Sequence, residues 1–157
     1  MHDFAPSLAA IFKRDLTRLL QEVEGFPDDA SLWRIAPGMN NSPGNLVLHL
    51  EGNLREYIAR QLGGAAYQRH RAREFSDQGV SQAKLVLRIQ QLIGDIPPFI
   101  AAATNLDEPY PQDVLGTPIS TGRFLMHLLG HFNYHLGQID SARRAAAQTG
   151  PINFSVT

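Results

Sequence analysis

His127, His131 and His135 recur at every fourth position of one proline-free segment, and Gln138 follows three residues later. On an α-helical wheel at about 100° per residue with His131 at zero, Phe124 and Ala142 fall at about +20°, His135 at about +40°, Leu128 at about +60° and Ile139 at about +80°. Gln138 falls at about −20° and His127 at about −40° on the same wheel. The three imidazoles and the amide therefore share the arc of the apolar residues and are expected to face a bundle interior, not water. Imidazoles one helical turn apart can close on a single metal ion. All three cannot do so together, because His127 and His135 stand about 12 Å apart along the axis. His131 is the shared member of either pair, and geometry leaves His127 and His135 open. A third donor must come from another helix, where His49 is the candidate, at the margin of its own apolar arc. The plainer reading is a set of core histidines bonded to carbonyls or neighbouring side chains. Against it, several buried imidazoles without acidic partners need compensation, which a shared cation supplies.

Other chemistries find little support. The chain has no cysteine, so there is no disulfide, thiolate metal site or cysteine nucleophile. No nucleophile elbow, phosphate loop or dinucleotide fingerprint occurs. Arg69, Arg71 and Arg73 could bind a carboxylate or phosphate, or form a solvated loop with local ion pairs to Glu74 and Asp77. His2 and His70 lie in a terminus and in that arginine-rich stretch and are set aside.

The elements that must position these residues are helical. Residues 6–24 carry Leu8, Ile11, Phe12, Leu16, Leu19, Leu20 and Val23 at spacings of three and four, with Pro6 near the start. A loop over residues 28–41 holds the single tryptophan, Trp33. Ser42 as N-cap and Pro43 at the first helical position open a second helix, which carries Leu46, Val47, Leu50, Leu54, Tyr57, Ile58 and Leu62 inward and ends at Gly63-Gly64. Residues 67–79 read as a polar loop. A third helix spans about residues 80–104, with Pro97-Pro98 expected to kink or interrupt it. After an acidic, turn-rich connection over residues 105–118, the fourth helix runs from near Thr121 to about Ala147. Four helices around one core make an all-α bundle, as a single domain over residues 1–157.

Composition agrees. The chain has 157 residues, 43% hydrophobic and 18% charged, with a formal net charge of −1. That balance offers no broad field for nucleic acid and no polybasic membrane signature. No signal peptide is read at the start and no bilayer-spanning run elsewhere, so a cytoplasmic location is expected.

His49 near the start of the second helix, with His131-Phe132-Asn133-Tyr134-His135-Leu136-Gly137-Gln138 in a later one, resembles the DinB-like superfamily. The likeness extends to Leu32-Trp33-Arg34-Ile35-Ala36-Pro37-Gly38, to Asn41-Ser42-Pro43-Gly44-Asn45-Leu46, to Leu48-His49-Leu50-Glu51-Gly52-Asn53-Leu54-Arg55 and to Arg69-His70-Arg71-Ala72-Arg73-Glu74-Phe75-Ser76. The resemblance implies a DinB/YfiT-like, up-down-down-up four-helix bundle with a divalent metal at one end, held by His49, His131 and His135. His127 then becomes a neighbour. It also implies a metal-dependent enzyme of the thiol-dependent S-transferase or isomerase class, using mycothiol, bacillithiol or glutathione, and a homodimer. The alternative is a non-catalytic metal-binding or stress-related interaction protein. Zinc or nickel is the expected metal, and iron, manganese or cobalt also suits imidazole. Three neutral nitrogens leave positions open for water or a small-molecule substrate. Asn53 or Tyr134 would orient bound groups, and Gln138 would fix a ligand.

Overall fold

The structure, a computed structural model, describes residues 4–114 and 116–153; His2 lies outside them. The described residues are mostly helical and form no strand beyond one isolated bridge between Pro109 and Ser120. None of their helices is long and apolar enough to cross a membrane. The elements are α1 (Phe4–Glu24), α2 (Asp29–Leu32), α3 (Pro43–Leu54) continued by a π-helical segment (Arg55–Arg60), α4 (Arg71–Ser76), α5 (Gln82–Ala101) and α6 (Thr121–Ala147).

The four long helices close on each other: α1 packs on α5 and α6, and α3 packs on the same two. Phe12, Leu16, Leu50, Leu54, Ile89, Ile96, Phe132 and Ile139 lie in one continuous apolar cluster to which all four contribute. Two polar ties fix α6 against α1. The buried Asp15 accepts a 2.8 Å bond from Asn133 Nδ2. Further along, the buried Glu22 accepts a 2.7 Å bond from Arg143 Nε. Since Asn133 sits between His131 and His135, the first tie also sets the rotation of the histidine face of α6.

Every residue of α3 is buried, polar ones included. Ser42 caps the helix as expected, its side chain accepting from the Asn45 backbone N–H at 3.1 Å, with Pro43 in the first turn. The Trp33 ring lies flat on Gly44, where a Cβ would stand 2.9 Å from its carbons, and Trp33 Nε1 donates to the Val80 carbonyl at 3.0 Å. The outer face of α3 is covered by α4, a helix in the stretch read as loop. Asn45 Nδ2 holds α4 at its C-terminal end, donating to the carbonyls of Glu74 at 3.0 Å and Asp77 at 2.8 Å. The loop over residues 28–41 likewise contains a helix, α2, capped by Asp28 accepting from the Ser31 N–H at 2.7 Å. Both short helices escape periodicity because one turn or two is too little chain to repeat an apolar spacing.

The expected break at Pro97-Pro98 does not occur, and α5 runs through both prolines to Ala101. Each proline removes one intrahelical bond, but they sit in the last turns, where Ile96, Pro97 and Ile100 are buried in the core. Packing there outweighs two lost hydrogen bonds. The last helix matches its expected bounds, opened by Ser120 and stopped by Gln148 in the left-handed conformation at φ 52°.

Asn45→Ala would strip both carbonyls at the end of α4 of their donor. A loss of about 1–3 kcal/mol in unfolding free energy is expected, measured by urea denaturation.

Candidate metal centre

His49, His131 and His135 each present a ring nitrogen, and these atoms lie within 4.8 Å of one another. His49 is buried and the other two are partly exposed. Their rings meet edge to face, with centroids 5.0 Å apart for His49 and His131, 5.3 Å for His49 and His135, and 4.6 Å for His131 and His135. Of the alternatives left open on the helical wheel, the structure groups His131 with His135 and His49, and leaves His127 outside.

The outer nitrogens decide where the inner lone pairs point. His49 Nδ1 lies 2.9 Å from Glu74 Oε2, so its N–H is given to the carboxylate and Nε2 faces the group. His135 Nδ1 lies 2.7 Å from Gln138 Oε1, with the same consequence. His49 Nε2 stands 3.1 Å from His131 Nε2, and the buried His131 Nδ1 has no hydrogen-bond partner. At this range His131 Nε2 either donates its N–H to His49 Nε2 or joins it in turning a lone pair to a shared cation. Neutral imidazole is the form that binds metal, and burial, followed by the neighbouring His135, His49, His127 and Arg69, pushes His131 down to about 4. Burial also lowers His135, partly offset by the bond to Gln138. The donor set therefore fits a divalent cation.

Glu74 is the residue that sequence reasoning missed as part of this group, although it was named as a partner for arginine. It is buried, and Arg69 grips it from Nε at 2.7 Å and Nη2 at 2.9 Å. Burial pushes its carboxyl up, but the bonds from His49 and Arg69 outweigh that and hold it below the usual carboxylate range. Gly52, one turn beyond His49, lies directly beneath: a Cβ there would overlap Glu74 Oε1. The available signal was the need of an inward histidine for an acceptor on its second nitrogen.

The helical wheel is corrected in one respect. Leu125, Phe132 and Leu136 are buried on α6 and centre the covered arc nearer +100° than +20°, about a quarter-turn from His131. The histidines thus stand at its edge: His131 and His135 are half-buried and His127 is exposed. That placement opens His49 and His131, though not His135, onto a cleft of about 200 Å³ lined also by Asn53, Tyr57, Arg69 and Arg71, with Phe124, His127, Leu128 and Val114 completing the wall. His127 lies near-parallel to Phe124, ring centroids 5.9 Å apart. Of the two residues expected to orient bound groups, Asn53 lines the cleft, whereas Tyr134 is 66% exposed outside it. Tyr57 belongs to the π-helical segment, a local widening of the helix that recurs at functional sites.

A family model described as Mycothiol-S-transferase matches residues 7–148. The crystal structure of a DinB-like protein from Bacillus cereus ATCC 10987 is similar at a TM-score of 0.72 and 19% identity, over 94% of this chain and 95% of that one. At that identity the likeness is one of fold. No curated protein matches the chain.

Glu74→Ala would leave the Arg69 guanidinium half-buried and His49 Nδ1 without an acceptor. It should cost about 3 kcal/mol by denaturation and weaken metal binding by about 10–100-fold, with Glu74→Gln less damaging because an amide oxygen still accepts from His49. A second expectation concerns acid. His131 titrates at about 4 in the fold against 6.5 as its ordinary value. The unfolded chain therefore binds more protons between these pH values, and stability falls as pH drops through the window. Melting of the metal-free protein should show that decline between pH 6.5 and 4, flattened in His131→Gln.

Proposed function

The chain belongs to the mycothiol-S-transferase family, within the DinB-like superfamily, and from that premise we propose that it is a metal-dependent enzyme joining a small-molecule thiol to an electrophile. His49, His131 and His135 are the metal ligands in this reading. The observation that carries it is the convergence of their three ring nitrogens within 4.8 Å, with two outer nitrogens engaged by Glu74 and Gln138. Zinc or nickel suits the all-imidazole set best. The chain is read as one up-down-down-up four-helix domain over residues 1–157, working in the cytoplasm as a homodimer.

When bound, a divalent ion at this position lowers the pKa of a thiol or water that joins it and polarises a carbonyl. The protein's own part is positional. Glu74 and Gln138 hold His49 and His135 in the tautomer whose inner nitrogen is free. Phe124 and Leu128 give the cleft an apolar wall, while Asn53 and Tyr57 offer groups that can hydrogen-bond a substrate. With no cysteine in the chain, the attacking sulfur arrives with the cosubstrate.

Metal analysis of tag-free protein prepared with metal present should find close to one equivalent per chain, and His131→Ala should abolish it. Incubating the loaded protein with mycothiol, bacillithiol or glutathione and a small electrophile should give conjugation that disappears on chelation. A wild-type protein that takes up no metal overturns the reading. Stoichiometric metal without conjugation to any thiol would instead favour a metal-binding role without turnover.

A further inference from the structure

Arg69, Arg71 and Arg73 alternate along one short stretch, and the fold gives each a different situation. Arg69 is spent on Glu74 through two hydrogen bonds. Arg73 pairs with Asp77 at 3.4 Å. Arg71 has no carboxylate partner among the described residues; its guanidinium lies 5.5 Å from the centre of the Phe75 ring. Arg73 also lines a separate hollow of about 320 Å³ on the far side of Glu74. Every charge there has a partner: Glu51 pairs with Arg88 and with Arg55, which also meets Asp95, Glu74 pairs with Arg69, and Asp77 with Arg73.

The histidine cleft is different. Arg69 and Arg71 both line it, and no carboxylate does. Arg69's charge is cancelled by Glu74, which leaves Arg71 as the unmatched positive charge on the cleft wall. A guanidinium keeps that charge at every physiological pH and offers a planar fork suited to two parallel bonds. The ring of Phe75 beneath it limits the orientations it must give up on binding. The cleft's 200 Å³ equals roughly six or seven waters' share of liquid volume. A small molecule held there faces His49, His131 and Arg71 from one cavity.

We propose that Arg71 is a specificity-determining residue, and that the small molecule reacting at the three-histidine group carries a carboxylate which pairs with its guanidinium. A carboxylate presents two coplanar oxygens to that planar fork and carries the single charge that Arg71 can match. The inference rests on the histidines being the reactive centre.

The test uses metal-loaded protein, with succinate, its dimethyl ester and inorganic phosphate as probes, read by calorimetric titration and by perturbation of the His127 and Tyr57 resonances. Wild type should bind succinate saturably, and the neutral ester about tenfold more weakly or worse. Arg71→Met should lose about tenfold or more in succinate affinity at unchanged metal content. Arg73→Met, already paired elsewhere, should behave as wild type. Succinate that fails to bind, binds Arg71→Met as well as wild type, or is outcompeted by phosphate overturns the proposal. Succinate binding abolished by chelation yet indifferent to Arg71→Met would overturn the proposal in the same way, with the carboxylate placed on the metal and the metal reading left standing. Arg71-dependent succinate binding in a protein that takes up no metal would uphold that role and overturn the metal reading alone.

Discussion

A carboxylate taken out of water must be surrounded by donors, and Glu74 is buried between α4 and α3. Its requirement organises the end of the molecule that carries the histidines. Arg69 satisfies it from one side and His49 from the other. Gly52 supplies the absence of a side chain that lets it approach. Asn45 holds the carbonyl of the same residue and so fixes the short helix that delivers it. Asn45, His49 and Asn53 follow each other at one-turn intervals along α3, and each does a different task on one stripe: anchoring α4, facing the histidine group, and lining the cleft. A helix with every residue buried can carry polar groups only on those terms.

The rotation of α6 is the second determinant. Asp15 and Glu22 hold it through Asn133 and Arg143, and the rotation they set places His131 and His135 at the border of the apolar surface. A position deeper in the core would close the group to any ligand, and one further out would lose the desolvation that keeps His131 neutral. At the border both imidazoles are held toward the neutral form, and His131 is still reachable from a cleft.

Much of this was legible along the chain. The Ser42-Pro43 start, the bounds of α6, the apolar stripe of α1 and the pairing of His131 with a neighbour one turn away all follow from local spacing. The contact of Gln138 with His135 was readable too, because both lie on one helix. The interruption expected as one outcome at Pro97-Pro98 was not found, since the weight of core packing on Ile96 and Ile100 cannot be read from proline itself. Glu74 stayed unrecognised as the partner of His49 because 25 residues separate them, and no periodicity links a residue in one helix to a residue in another.

The sequence by itself determined the all-α class, the helical faces and the inventory of ligands: imidazole and oxygen without thiolate. Those are properties of single segments, fixed by side-chain type and by a repeat of 3.6 residues. Helical spacing left open which histidines meet, and the family resemblance named them; only the tertiary structure decided how closely they meet, which arginine is left without a carboxylate, and which nitrogen of His49 is free. Each of those depends on distances between helices, and such distances are set by how whole faces pack, not by any one segment's pattern.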